Sequence, residues 1–234
     1  MTPERLAGSA GPHVFVESLD DMVVADEDLS HLTKSLRMRV GNPLTASDGN
    51  GSWRRAALAE SGTLEPVGDV VFVDPRERPV SVAFSLVKGQ KPELAIQKLT
   101  ELGVDRIVVL SAERSVVKWD DAKVRSAKDR WRRIVREASM QSHRAYLPEL
   151  DALTPAVEWI SRSDVAIAQF GGRHLGARDT SIAVGPEGGW SASELAAASQ
   201  AVSLGDTVLR AETAAIAAGT LLTAVGTGRR SDVR

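Results

Sequence analysis

Cysteine is absent from the 234-residue chain, which excludes disulfides, thiolate metal sites and cysteine nucleophiles, although its absence does not by itself prove a reducing compartment. Long apolar runs are missing too. The longest nearly uncharged stretch, residues 214–226, falls well short of the ~20 apolar residues a membrane span needs, and residues 1–11 have no signal-peptide core. A soluble, cytoplasmic protein with no membrane contact is the expectation. The four histidines, His13, His31, His143 and His174, show no metal-ligand spacing, so no metal is expected. There is no internal repeat and no low-complexity tract. At 43% hydrophobic and 26% charged, the composition is that of an ordinary globular protein.

The net charge of −2 is unevenly spread: residues 1–75 carry 6 basic and 12 acidic side chains, residues 76–150 carry 16 and 10, and residues 151–234 carry 7 and 9. A polyanion would bind the middle third. A positive stretch is nonetheless most often just a solvated face.

Residues 14–16, 43–46, 53–58 and 70–73 read as strands, with Asp48-Gly49-Asn50-Gly51 a hairpin turn, and predict a small barrel over residues 1–74. One helix interrupts it, N-capped by Ser30, with Leu32, Leu36 and Met38 on its apolar side and its end before Gly41. Its other side shows Lys34, Arg37 and Arg39, either a solvated face or a grip on phosphates. Residues 74–79 hold two prolines and four charges and suit a stiff, exposed linker. Beyond it, over residues 80–230, the period changes. A strand over 80–87, a helix from Pro92 to Leu102 stopped by Gly103, and a strand over 107–110 predict a parallel α/β sheet flanked by helices. A basic helix follows over 121–143, with Val124, Trp131, Val135 and Ala138 on one side and Lys128, Arg132 and Arg136 stacked on another. Residues 165–168, 182–184 and 208–209 read as further strands. An alanine-rich helix over 212–225 closes the chain and would pack on a second copy or within the chain.

Two stretches carry chemistry. Gly185-Pro186-Glu187-Gly188-Gly189 sits between an apolar run and a helix begun by a Ser191/Glu194 capping box. Glycines at the carboxyl edge of a strand let a ligand touch backbone N–H and C=O groups directly. The Walker Gly-Lys-Ser/Thr ending and the dinucleotide glycine spacing are both absent, and Glu187 would repel an anion, so a neutral or cationic ligand fits better than phosphate. A plain tight turn with a helix cap explains the same residues. The second stretch, residues 204–214, joins a glycine turn at Leu204-Gly205 to Leu209, Arg210, Glu212 and Thr213. Two such turns could wall one pocket, or Glu212 could simply suit the start of a helix.

Residues 185–189, Leu204-Gly205, residues 209–214, Lys98 with residues 101–104, residues 113–115, and Glu137-Ala138 with Gln141-Ser142 and Arg144 together resemble the bacterial 16S ribosomal RNA uridine-N3 methyltransferases of the RsmE type. The likeness runs over nearly the whole chain. It departs from the family's pattern at His13, Ser30-His31 and Trp190. The resemblance implies an N-terminal PUA-like RNA-binding β-barrel and a C-terminal SPOUT domain with a deep trefoil knot. It also implies S-adenosylmethionine as methyl donor, a homodimer, and 16S rRNA or the assembled small ribosomal subunit as partner. Knotted chains are rare exceptions, and periodicity alone points to none.

S-adenosylmethionine is a sulfonium with a neutral adenine, which suits bare backbone with a carboxylate nearby. Gly185, Pro186, Glu187, Gly188, Gly189, Leu204, Gly205, Leu209, Glu212 and Thr213 are the expected cofactor-binding residues. Arg144 and Arg210 are the catalytic candidates, as cations that favour the uracil anion once N3 loses its proton. Lys34, Arg37, Arg39, Lys88, Arg114, Arg132, Arg136 and Gln141 are the candidates for holding RNA, and for each an ordinary hydrogen bond is the competing reading. A non-catalytic RNA-binding assembly factor and a SPOUT enzyme acting on another RNA position are the alternatives.

Overall fold

The computed structural model describes residues 6, 8–60 and 62–226; the outer ends of the two expected domains, residues 1–5 and 227–230, lie outside the described residues. The chain divides into two compact units, Met1–Arg76 with Arg136–Leu147, and Glu77–Val135 with Pro148–Arg234. Residues 136–147, inside the span expected for the second domain, thus cluster with the first.

In the first unit β1 (His13–Phe15), β2 (Pro43–Ser47), β3 (Ser52–Leu58) and β4 (Leu64–Phe72) form one sheet in that order. The first pair is parallel and the others antiparallel. The β2–β3 turn forms as its residues dictate. The Asp48 carboxylate accepts from the N–H groups of Asn50 at 2.7 Å and Ser52 at 3.1 Å, while Gly49 takes the left-handed backbone at φ +76°. Val14, Val16, Met22, Leu32, Leu44 and Leu58 bury together as its core.

The helix expected from Ser30 begins earlier. α1 spans Asp26–Ser30 and runs into a π-helical turn at His31–Ser35. Ala25 holds the N-cap, and Asp26, Glu27 and Asp28 fill the first turn, where acidic groups favour the dipole. Ser30 is itself helical and makes no capping bond. The helix also stops sooner, because Arg37 adopts φ +54° and the Met38 N–H reaches back to the Leu32 carbonyl at 3.0 Å, closing the end before Gly41 is reached. The 136–147 segment is knit to this unit by the Ala145 carbonyl, which accepts from Gly51 N–H at 3.1 Å and the Ser47 hydroxyl at 3.0 Å.

The second unit is built on six strands, β5 (Ser81–Ser85), β6 (Arg106–Ser111), β7 (Glu149–Pro155), β8 (Val165–Arg173), β9 (Ser181–Val184) and β10 (Gln200–Val202). Their order is β10-β8-β9-β5-β6-β7, and every pairing is parallel. Helices α2 (Lys91–Glu101), α3 (Asp121–Gln141), α4 (Ala156–Ile160), α5 (Ala192–Ala197) and α6 (Ala211–Gly226) accompany it. Val82 and Phe84 point into one apolar cluster that includes Leu99, Trp131 and Leu222, whereas Ala83 points into another with Trp159 and Ile160. Both faces of β5 are therefore buried, which is why its sequence reads as a continuous apolar run. The strand expected at residues 208–209 does not form: Val208 is 87% exposed, and the edge place is taken by β10. β7 and α4 were not anticipated, being a Pro-ended strand and a single short helix. Among the described residues no helix is long and apolar enough to cross a membrane.

β10 approaches β8 closely. A Cβ added at Gly172 would lie 2.7 Å from the Val202 carbonyl carbon and 2.8 Å from its nitrogen, and backbone cannot rotate aside. Gly172→Ala is expected to lower stability by about 1–3 kcal/mol, the usual cost of overpacking, in urea denaturation; an unchanged midpoint would refute the close packing.

Candidate functional site

The carboxyl-terminal half of β8 and the segments that follow β9 and β10 meet at the carboxyl edge of three neighbouring strands, where open parallel sheets place their ligands. They enclose a cavity of about 550 Å³, within the range of small-molecule sites. Gly185, Pro186, Glu187 and Gly189 contribute one wall; Leu204, Gly205, Leu209 and Arg210 contribute another; Ala168, Gln169 and Phe170 line a third side. The two glycine bends read from the sequence thus share one space.

Each glycine has its own reason. A Cβ at Gly185 would sit 3.0 Å from the Trp190 ring, so its absence lets that buried indole lie against the backbone. Gly189 closes a tight turn, donating to the Pro186 carbonyl at 2.8 Å with φ +70°. Around Gly189 and Gly205 an added Cβ would meet nothing within 4 Å, leaving their main chain open to a ligand. Gly188 faces the other way: its carbonyl accepts from the Arg114 guanidinium at 3.4 Å.

The loop is anchored by a buried carboxylate. Glu194 accepts from the N–H groups of Ser191 at 2.8 Å and Glu113 at 2.9 Å, while the Ser191 hydroxyl accepts from Glu194 N–H at 3.1 Å. The expected capping box is therefore present and also holds the segment after β6. At Glu113 the Ser193 hydroxyl, 2.6 Å away, holds the carboxyl below its ordinary pKa. Glu187 and Glu212 converge on Lys91, at 4.0 and 3.3 Å. Glu187 still lines the cavity, whereas Glu212 turns to Lys91 and Thr213 is exposed on α6. Arg210 lines the cavity, exposed and with no side-chain partner among the described residues.

Sequence comparison matches residues 74–223 to an RNA methyltransferase domain and residues 24–65 to an RNA methyltransferase PUA domain. The ribosomal RNA small subunit methyltransferase E of Mycobacterium bovis is 35% identical over 87% of this chain and 88% of its own. The chain belongs to the ribosomal RNA small subunit methyltransferase E family. The family member from Synechocystis is 31% identical over 87% of this chain and 72% of its own length. The Neisseria gonorrhoeae member, solved bound to S-adenosyl methionine, is 26% identical, covers 92% of this chain and 97% of its own, and superposes with a TM-score of 0.75.

The family-motif residues Glu137, Ala138, Gln141, Ser142 and Arg144 fall in the first unit, where a second cavity of about 600 Å³ is lined by His13, Asp28, Leu32, Glu137, Gln141 and His143, among others. Arg144, also in this unit, is partly buried and gives its carbonyl to the His13 ring at 3.1 Å. Arg136, expected to hold RNA, is bound to Asp28 at 2.6 Å and to the Phe15 carbonyl at 3.0 Å. Lys34, Arg37, Arg39, Lys88 and Arg114 are exposed, as is Arg132, which pairs with Asp129 at 3.6 Å. Sequence reasoning missed Lys91, Trp190 and Phe170. The pair Gly171-Gly172 directly after Phe170, at the end of an apolar run, was the available signal for the third.

Burial, aided by the neighbouring His143, lowers the His13 pKa to about 4 from 6.5. The carbonyl of Arg144 can only accept, so Nε2 donates to it and Nδ1 accepts from the Thr45 hydroxyl at 2.9 Å. The fold thus holds the neutral ring. Above pH 6.5 both folded and unfolded rings are neutral and the shift costs nothing. As pH falls from 6.5 to 4 the unfolded chain takes the proton first, and stability is lost over that window, by about 3 kcal/mol. Urea unfolding at several pH values should show this loss in the wild type relative to His13→Gln; parallel curves would contradict it.

Proposed function

We propose that the chain transfers a methyl group from S-adenosylmethionine to N3 of a uridine in 16S rRNA of the small ribosomal subunit. The carrying observation is that two glycine-rich bends enclose one cavity whose lining includes an arginine unpartnered among the described residues, in a chain of this family. The cofactor, when bound, supplies a methyl group on a positively charged sulfur. Open backbone at Gly189 and Gly205, with Gly185, Leu204 and Leu209, would hold its adenine and ribose by hydrogen bonds, and Glu187 tolerates the positive charge. Pro186 and Gly188 shape that loop, while Glu212 and Thr213 form the start of α6 beside it. No cradle for phosphate is needed.

Holding donor and acceptor in line supplies much of the acceleration. Uracil N3 must lose a proton, and Arg210, which lines the cavity, would favour the resulting charge on the uracil oxygens. Arg144, in the other unit, is the second candidate. Lys34, Arg37, Arg39, Lys88, Arg114, Arg132 and Gln141 are the proposed RNA contacts, with Arg136 acting through Asp28 on their scaffold. The same reading carries a PUA-like barrel over residues 1–74, a knotted SPOUT domain over 80–230, a homodimer, and action in the cytoplasm.

Nucleosides from 16S rRNA of a deletion strain should lack one 3-methyluridine, restored by the wild-type gene; loss of a different methylated nucleoside would overturn the N3 assignment. Arg210→Ala should slow methylation by about 10²–10³-fold, the usual effect of removing one charge-stabilising group, with calorimetric affinity for S-adenosylmethionine within twofold. A matching loss of cofactor affinity would reassign Arg210 to binding.

A further inference from the structure

Gln141 is the one residue lining the second cavity that the reading above uses as an RNA contact, and the chemistry of this cavity is unlike that of the first. Glu27, Asp28 and Glu137 all line it. Arg136 is committed to Asp28, while Glu27 and Glu137 have no side-chain partner among the described residues and are exposed. Phosphate is therefore repelled. Among the described residues no group of His, Asp and Glu is arranged to hold a metal ion. Flat apolar surface is supplied by Leu32, Leu36 and Met140, and by the His13 and His143 rings, which stack with centroids 5.7 Å apart and planes at 25°. His13 is buried, with both ring nitrogens engaged. The His143 Nδ1 is buried and has no partner. What suits such a space is a neutral, planar molecule with hydrogen-bond donors along one edge.

On α3, Glu137 and Gln141 are four residues apart and so lie on one helix face. A carboxylate accepts two adjacent donors, and a side-chain amide one turn away donates one. Guanine presents that pattern in reverse: N1–H and N2–H₂ for Glu137, and O6 for Gln141. Uracil sets its single N–H between two oxygens that carboxylates repel, and adenine and cytosine offer only one donor group each. We propose that this cavity is a guanine-binding subsite, which reads an unpaired guanine of the substrate RNA separately from the nucleotide that is methylated. The inference rests on the reading of this chain as one that acts on RNA.

Three of the four histidines line the cavity, and His174 belongs to the other unit, so their ring protons in NMR spectra report binding with an internal control. Titration with the dinucleotide GpU should move the His13, His31 and His143 resonances and leave His174 in place. Inosine lacks the 2-amino group, so IpU should bind at least fivefold more weakly, at the lower end of the discrimination given by a bidentate base contact. Glu137→Gln, an exposed and nearly isosteric change, should narrow that gap to under twofold while the shifts persist. Absence of shifts, equal affinity for GpU and IpU, or shifts produced by spermine and not by GpU would overturn the inference. Methylation of 16S rRNA by the same preparation separates the two readings. Methylation without guanine discrimination sinks only the subsite, whereas guanine discrimination without methylation sinks the methyltransferase assignment and leaves the subsite standing.

Discussion

Parallel pairing of β10, β8 and β9 is the constraint on which the site depends. Ser181 is in register with Val165, and Gln200 with Ala166, so the three strands run side by side and their carboxyl ends open toward the same edge. The first cavity is walled by residues 168–170 of β8 and by the chain leaving β9 and β10. A parallel sheet buried on both faces has little freedom to slip, since a shift by one residue would exchange Phe84 and Ala83 between two differently shaped clusters. The cavity thus takes its position from the core rather than from the loops that line it.

The loops are then held by few but well-satisfied groups. Glu194 is 1% exposed, and a carboxylate so buried is tolerated only because both of its oxygens accept backbone N–H groups. One of those donors belongs to the segment after β6, so a single side chain ties the start of α5 to a neighbouring strand end. Lys91 makes a comparable link between Glu187 and Glu212, at distances and exposures where the pairing energy is small and its value is chiefly geometric.

Much of this was legible in the sequence because it rests on local rules. The Asp48–Gly51 turn, the Ser191/Glu194 box and the glycine bends each follow from what their residues can do within a few positions. Strand–helix alternation likewise indicated the parallel sheet. Illegible parts depend on partners distant in the chain. Nothing near Arg136 announces that Asp28 will claim it, and the early start of α1 reflects three acidic residues outweighing one good capping serine. β10 is held by the bare backbone of Gly172 rather than by its own apolar content, whereas residues 208–209 had strand-like composition but no open sheet edge to join. Membership of residues 136–147 in the first unit is likewise a tertiary fact, invisible in a helix whose periodicity runs unbroken.

The two cavities differ in the sign of their unpaired charge, and that difference has consequences for a polyanionic substrate. Arg210 is the one arginine among the described residues lining the first, and it has no side-chain partner there. A lone exposed guanidinium keeps its hydration and costs the fold little, yet its field strengthens once a bound ligand excludes water. The second cavity keeps free carboxylates instead, and these turn away the phosphates that exposed surface cations attract. RNA held near such a cavity can lower its energy only by presenting a base edge rather than its backbone. A pocket that repels the backbone therefore selects for bases, and the donor-rich edge of guanine is the one its carboxylates favour.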